Sequence, residues 1–92
     1  MACEWDPIKA ETNVKKHGLG FHEATTVFGD PLAETFPDPD HSQDESRFVT
    51  IGLSWQGHLL IISHTDRGDR IRIISARRAT PAERKYYEKS KS

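Results

Sequence analysis

Apolar residues recur at helical spacing in two stretches near the beginning of the chain. The first stretch begins at Asp6 and Pro7. The Asp6 side chain can cap exposed N–H groups, and the ring of Pro7 suits the first helical position. It ends at Gly18, because glycine most readily adopts the left-handed conformation after a helix. The pattern therefore predicts a helix over residues 7–17 and a second, shorter one over residues 21–28.

Alternating apolar and polar residues predict strands over most of the remaining chain. These strands cover residues 32–36, 47–54, 58–65 and 70–77, with a shorter one at residues 4–5. Short connections between the last three predict an antiparallel meander. Thr80, Pro81 and Glu83 form a capping box with proline at the first helical position, so a final helix begins there. The order β-α-α-β-β-β-β-α predicts one α+β domain over residues 1–92, with helices on one side of an antiparallel sheet.

Charge is distributed unevenly along the 92 residues, whose formal net charge is -1. Residues 1–46 carry three basic and ten acidic residues, whereas residues 47–92 carry ten basic and four acidic residues. The small net charge would argue against a nucleic-acid partner. The asymmetry between the halves instead indicates an anionic partner for the basic half.

Several classes of protein are excluded by what the sequence lacks. The longest apolar run, at 59–62, has four residues, far fewer than the ~18 of a membrane span. The N-terminus has no secretion-signal pattern, Cys3 has no second cysteine, and no Cys/His spacing fits structural zinc. The polar stretch 37–46, with its Asp38-Pro39-Asp40-His41 run, is interpreted as a solvated loop. We expect a cytoplasmic protein with no metal or other cofactor and no membrane contact.

The strongest candidate for chemistry is the arginine-rich strand near residue 70. Arg70 and Arg72 project from one face of that strand, ~6–7 Å apart, similar to successive phosphates along a nucleic acid. Arg77 and Arg78 extend the positive charge to the end of the strand. The alternative is a solvated face on which Arg70 pairs with Asp66 or Asp69.

Imidazole transfers protons near neutral pH, which makes the five histidines candidates for acid–base chemistry. His64 is the best placed, because its strand pairs with the arginine-rich strand across a short hairpin. It also shares a face with Leu60 and Ile62, which is equally consistent with a position in the core. His17 is a second candidate, although charge–dipole stabilisation of a helix end also explains it.

The final helix carries two adjacent tyrosines among basic residues. Tyr86 and Tyr87 are candidates for stacking on unpaired RNA bases, with the alternative that one of them packs the helix on the sheet. Trp5 and Trp55 are expected in the core or over turns. Glu83 is explained fully as the third residue of the capping box.

In several sequence motifs, the chain resembles the BrnT family of bacterial type II toxin–antitoxin toxins. The matching stretches include EWDP at 4–7, KHG at 16–18, VFGDP at 27–31, DPDHS at 38–42 and IRIISARRAT at 71–80. They span nearly the whole chain in the expected order. The resemblance implies a RelE-like fold and a ribonuclease without a metal cofactor that arrests translation. It also implies neutralisation by a BrnA-type antitoxin, which itself binds operator DNA, so that this chain contacts the operator only indirectly.

Physical reasoning supplies the roles of individual residues. RNA cleavage without a metal uses the 2′-hydroxyl as nucleophile, a base and an acid to move protons, and cations to stabilise the phosphate. We expect Arg72 and Arg77 to bind the reacting phosphate and His64 or His17 to transfer protons. The expected contacts to flanking RNA come from basic and aromatic side chains: Arg70, Arg78, Lys15, Lys16, Tyr86 and Tyr87. The alternative function is a non-catalytic module whose basic sheet face binds protein or nucleic acid.

Overall fold

The computed structural model describes residues 2–38 and 46–90. Its elements are β1 (Ala2–Trp5), α1 (Pro7–His17), α2 (Phe21–Thr26), a 3-10 turn (Val27–Gly29), β2 (Glu34–Pro37), β3 (Arg47–Leu53), β4 (Leu59–Arg67), β5 (Arg70–Arg78) and α3 (Pro81–Lys89). The predicted α+β class and the predicted order of helices and strands are confirmed. Most of the predicted solvated loop, including Asp40 and His41, lies outside the described residues.

The helix ends follow the predicted capping chemistry. The Asp6 Oδ1 atom accepts the Ile8 backbone N–H at 2.8 Å, and Gly18 ends α1 with a φ of 70°. At α3, the Thr80 hydroxyl accepts the Glu83 N–H at 3.2 Å while the Glu83 carboxylate accepts the Thr80 N–H at 2.8 Å. These caps satisfy backbone donors that a helix leaves without internal partners. They fix where each helix leaves the sheet.

All five strands form one sheet in the order β1-β5-β4-β3-β2. The predicted antiparallel meander of β3, β4 and β5 is confirmed, and β2 also pairs antiparallel with β3, but β1 pairs with β5 in parallel. The sheet is therefore mixed. A crossover through helices makes a parallel pair possible, and here α1 leaves β1 and packs against β5.

One face of the sheet is closed by α1 and α2. We call it the core face. Its buried cluster comprises Leu19, Phe21, Ala24, Val27, Leu60, Ile62, Ile71, Ile73 and Ala76. Alternate residues of β4 and β5 supply the sheet side of this cluster, which is the pattern of a strand with one buried face.

The opposite face, which we call the cleft face, is covered at one end by α3. Tyr87 of α3 is buried against Leu59 and Ile61 of β4 and Ile51 of β3. The expectation that all helices lie on one side of the sheet is therefore wrong. The sequence signal is the uninterrupted apolar run 59–62, because a strand with apolar residues at consecutive positions is covered on both faces.

Candidate active site

A bulge in β5 brings Arg72 and Arg77 to the same face of the sheet. Five positions apart, they would face opposite sides of a regular strand. Ser63 of β4 pairs with Ser75, but His64 pairs with Ile73, so one extra residue of β5 lies between the two pairs. The bulge resets the alternation, and both arginines project from the cleft face.

A cleft of about 390 Å³ lies beside Arg77, between the sheet and α3. Its lining is Pro37, Asp38, Val49, Ile61, Ser63, Ser75, Arg77 and Glu83. Ser63 and Ser75 face each other across β4 and β5. Neither hydroxyl forms a hydrogen bond with another described residue, so both are available to a ligand.

Glu83 holds the guanidinium of Arg77 in a two-point ion pair. The two N–H···O distances are 2.8 and 2.9 Å. The hydrogen bonds from Arg77 lower the pKa of Glu83 to about 2, while the same bonds raise the pKa of Arg77. Glu83 is thus a fixed anion near neutral pH, and its weak basicity makes it a poor proton acceptor. The sequence interpretation found only its capping role, although a helix beginning just after the strand could have suggested this contact.

A second carboxylate holds the other two arginines of the strand. Glu4 of β1 pairs with Arg72 in the parallel register. Its Oε2 atom lies 3.2 Å from the Arg72 Nε atom, and its Oε1 atom lies 3.5 Å from Arg70 Nη1. Both arginines remain partly exposed, with 34% of the Arg72 and 61% of the Arg70 side chain accessible. The carboxylate that orients them comes from the first strand, not from the Asp66–Asp69 turn.

Arg47 adds a further cation that the sequence interpretation missed. It begins β3 opposite Thr65 of β4, and Thr65 in turn lies opposite Arg72 of β5. Directly opposite residues project from the same face of a sheet. Arg47, Thr65 and Arg72 therefore form a row across the cleft face, visible only once the register of the three strands is known.

The comparisons with known proteins agree with this architecture. The model of a family described as ribonuclease toxin, BrnT, of type II toxin-antitoxin system matches residues 5–83. The chain belongs to the BrnT toxin family. The 1.1 Å crystal structure of the Brucella abortus ribonuclease toxin BrnT is similar, with a TM-score of 0.69 and 26% identity over 87% of this chain and 97% of the Brucella chain. No curated protein matches the sequence.

The two histidines expected to transfer protons in this BrnT-family chain do not face the cleft. His64 is 3% exposed on the core face, packed between the rings of Phe28 and Phe48. Its Nε2 atom lies 2.7 Å from the Thr50 hydroxyl, and burial lowers its pKa. The expectation that His64 lies beside the arginines is wrong, because the alternation of β4 turns it toward the core. His17 ends α1, which packs on the core-face side of β5.

The two tyrosines have different surroundings. Tyr87 is buried, and its hydroxyl donates to Asp30 Oδ2 at 2.6 Å. Burial, together with this contact, raises the pKa of Tyr87 to about 12. Tyr86 is exposed and contacts the ring of Phe36 edge-on at 6.0 Å, beside a small apolar pocket adjoining the cleft. Of the two tyrosines of this BrnT-family chain, Tyr86 has its ring exposed beside the pocket, and Tyr87 does not.

The remaining predicted RNA contacts lie away from the cleft. Arg78 is opposite Leu60 and so projects from the core-face side at the end of β5. Lys15 and Lys16 are exposed on α1, where Lys15 pairs with Glu11 at 3.2 Å. The structure therefore places Arg70, Arg72 and Arg77 on the cleft face, with Arg70 and Arg72 sharing Glu4, and places Arg78 and the two lysines elsewhere.

Residues 2–38 and 46–90 contain no group of three or more His, Cys, Asp or Glu side chains arranged to hold a metal ion. Over the same ranges, no helix has the length and apolar character needed to cross a membrane.

Proposed function

We propose that this BrnT-family chain is an endoribonuclease that cuts RNA in the cleft without a metal ion. The observation that carries the proposal is the alignment of Arg72 and Arg77 on one face by the bulge in β5. Arg77 lines the polar cleft, and Arg72 projects from the same face further along β5. Guanidinium groups on this face suit a phosphate that gains negative charge in the transition state. Ser63 and Ser75 supply hydroxyls to the same ligand.

In this mechanism the ion pairs orient the arginines and leave donors for RNA. A guanidinium has five N–H donors; of those of Arg77, Glu83 takes two and the Arg78 carbonyl oxygen takes a third, which leaves two. The remaining donors bind the phosphate oxygens while the 2′-hydroxyl attacks the adjacent phosphorus. The bond from phosphorus to the 5′-oxygen breaks, the departing 5′-oxygen takes a proton from water, and a 2′,3′-cyclic phosphate forms. Arg70 and Tyr86 contact the neighbouring sugar–phosphate and base.

The proton of the attacking hydroxyl requires an acceptor in the cleft. Asp38, Arg77 and Glu83 are the ionisable residues of the described cleft lining. Arg77 is permanently charged, and Glu83 has a pKa of about 2. We therefore assign the proton to Asp38 rather than to the buried His64 or to His17.

Purified protein free of antitoxin, incubated with RNA in EDTA, tests the proposal. We expect fragments that end in 2′,3′-cyclic phosphate, and a loss of cleavage of roughly 100-fold or more for Arg72→Ala and Arg77→Ala. Arg84→Ala is the matched control, since Arg84 lies on α3 and pairs with Glu88 at 3.7 Å, outside the cleft lining. Full cleavage by both cleft variants would contradict the assignment.

The same assay distinguishes the alternative function. Binding of RNA without any cleavage, with the protein in excess over the RNA, would identify a non-catalytic binding module. Fragments ending in 3′-hydroxyl groups, or cleavage abolished by EDTA and restored by a divalent metal, would contradict attack by the 2′-hydroxyl without a metal.

In the cell, the proposed activity arrests translation in the cytoplasm and is neutralised by a BrnA-type antitoxin. The antitoxin binds both this chain and operator DNA, so this chain meets the operator only through it. Expression of the wild-type chain should stop amino-acid incorporation, whereas Arg77→Ala should not. Co-expression of a small DNA-binding protein encoded beside the toxin gene should restore growth, and failure to do so would contradict the proposed partner.

A further inference from the structure

The turn between β3 and β4 presents a tryptophan to solvent. Trp55 is 89% exposed, which corrects the expectation that it lies in the core or covers a turn. Its backbone is nevertheless fixed, because its N–H donates to the Thr26 hydroxyl at 2.9 Å. The Ser54 N–H donates to the His58 carbonyl oxygen at 2.8 Å, and the Gly57 N–H donates to the Ser54 carbonyl oxygen at 2.9 Å, which closes the turn. A rigid turn thus holds a large apolar ring in water, and packing within the described chain does not account for it.

Beside this tryptophan, a carboxylate orients a histidine. The Glu23 Oε2 atom lies 2.6 Å from His58 Nδ1 and accepts the Ser54 hydroxyl at 2.8 Å. Burial would raise the pKa of Glu23, but the hydrogen bonds from Ser54 and His58 outweigh it, and the pKa is lowered. Glu23 is therefore an anion that accepts the Nδ1–H of His58, and the second ring nitrogen of His58, Nε2, is left for another partner. That nitrogen bonds no described residue, and the side chain is 35% exposed.

An arginine completes the cluster. Arg78 is exposed at the end of β5 and pairs with Leu60 of β4, two residues along the chain from His58. This register places it near the Glu23–His58 pair, and its positive charge also lowers the pKa of Glu23. Arg78 forms no ion pair within 4 Å among the described residues, in contrast to Arg70, Arg72 and Arg77. Its guanidinium is therefore open to an anionic ligand.

We propose that Trp55, His58 and Arg78 form a second RNA subsite, outside the cleft, that binds one unpaired nucleotide. Trp55 stacks on the base, Arg78 binds the phosphate, and the free ring nitrogen of His58 hydrogen-bonds the base or the ribose. The identity of the ligand as RNA rests on the proposed function. The subsite itself rests on the exposed ring and the open donors around it.

The surroundings of Trp55 favour a nucleotide over a protein partner. Tryptophans at the centre of protein interfaces lie in desolvated apolar pockets. Gln56 instead follows this tryptophan directly in the turn, and His58 and Arg78 lie at the adjoining ends of β4 and β5. An aromatic ring beside cations is the arrangement that stacks single-stranded bases and holds their phosphates.

The position of Arg78 also links the subsite to the cleft. Arg77 and Arg78 are adjacent residues on opposite faces of β5, and Arg77 Nη1 donates to the Arg78 carbonyl oxygen at 3.3 Å. Both residues lie at the C-terminal end of the strand. A single strand of RNA that passes this end contacts the cleft with one nucleotide and Trp55 with another.

Binding of a short, single-stranded, 2′-O-methylated RNA tests the subsite without cleavage, because the methylated sugar has no nucleophile. In Trp5→Phe protein, Trp55 is the one remaining fluorophore of its type, and we expect the oligonucleotide to quench it. Trp55→Ala and Arg78→Ala should each weaken binding roughly tenfold, whereas Trp55→Phe should retain most of the affinity. Arg84→Ala is the control for loss of one exposed positive charge.

Unchanged affinity in Trp55→Ala, or quenching of Trp55 by the antitoxin but not by the oligonucleotide, would overturn the subsite. The cleavage assay on wild-type protein separates this failure from failure of the proposed function. RNA cut by wild-type protein, with Trp55→Ala binding the methylated oligonucleotide normally, contradicts the subsite alone. Quenching by the oligonucleotide without any RNA cleavage supports the subsite and contradicts the nuclease.

Discussion

The two faces of the sheet treat their polar residues in opposite ways. On the core face the hydroxyls of Thr35 and Thr50 lie 2.7 Å apart, and that of Thr50 lies 2.7 Å from His64. On the cleft face, the Ser63 and Ser75 hydroxyls bond no described residue. A buried polar group is costly unless it is paired, whereas a group that faces water keeps its bonding capacity for a ligand. The Thr35–Thr50–His64 hydroxyl contacts therefore serve the fold, whereas the two serine hydroxyls remain available for binding.

On the core face, the side chain of Asn13 hydrogen-bonds backbone groups that have no partner in a neighbouring strand. Its side-chain amide donates to the carbonyls of Leu19 at 3.0 Å and Ala76 at 2.9 Å, and accepts the Ala76 N–H at 3.1 Å. The β1–β5 pairing ends at Ile73, so the amide of Asn13 substitutes for a neighbouring strand at Ala76. This contact anchors the segment of β5 that carries Arg77 on the other face.

The largest expected contrast is in stability, between two adjacent residues of β4. Ile62→Ala should lower the free energy of unfolding by about 2–5 kcal/mol, because Ile62 is fully buried in the core face and its loss leaves a cavity. Ser63→Ala should change it by less than about 0.5 kcal/mol, since Ser63 faces the cleft and bonds no described residue. Urea unfolding measures both.

RNA binding provides a second measurement on the cleft face. Ser63→Ala should lower affinity for a 2′-O-methylated RNA while leaving the unfolding midpoint unchanged. Equal destabilisation by Ile62→Ala and Ser63→Ala would mean that the cleft face is also packed in solution, and the contrast between the faces would be lost.

A smaller effect separates the faces through pH. Burial lowers the pKa of His64 in the folded protein, partly opposed by Asp66, so the unfolded chain binds a proton at higher pH than the folded one. The stability from neutral His64 is complete above its unfolded pKa, ~6.5, and declines as pH falls toward the folded pKa. His64→Gln should flatten this decline by at most ~1.4 kcal/mol per pH unit.

His22→Gln is the matched control, because His22 is exposed on α2. Its stability should follow the wild-type pH dependence. The measurement is urea unfolding at several pH values between neutral and mildly acidic, compared as the difference between each variant and wild type. A His64→Gln curve parallel to that of wild type would show that His64 titrates normally and is not closed off from water.

Sequence reasoning found the elements of this fold because local chemistry determines them. Asp6 and Thr80 mark helix starts through hydrogen bonds to residues two and three positions away, and Gly18 marks a helix end through its own backbone. Alternation along the strands also predicted that Arg70 and Arg72 face away from the core. These signals need no knowledge of distant parts of the chain.

The site was harder to predict because it depends on register and on a bulge. The shared face of Arg72 and Arg77 follows from one extra residue in β5. The burial of His64 follows from the alternation of side chains along β4. Glu4 and its partner Arg72 are 68 residues apart along the chain. No local pattern encodes such contacts. The resemblance to the BrnT family identified the class of protein, but the roles of its residues required the geometry.

The smallest expected effect concerns the ion pair that positions Arg77 in the cleft. Glu83→Gln keeps the capping box, which accepts glutamine, but removes the charge that pairs with Arg77. The pKa of Glu83 is lowered to about 2 in the folded state, so its contribution to stability is complete above its unfolded pKa of ~4.5 and is lost as pH falls toward 2. Because 42% of the Arg77 side chain and 32% of the Glu83 side chain are exposed, solvent screens the pair, and we expect a loss of about 1 kcal/mol at pH 7 that shrinks in acid. Glu88→Gln, on the exposed side of α3 with its 3.7 Å pair to Arg84, should match wild type throughout. If Glu83→Gln lost cleavage but no stability, the carboxylate would act on the RNA itself; loss of both in parallel supports its role as the anchor of Arg77.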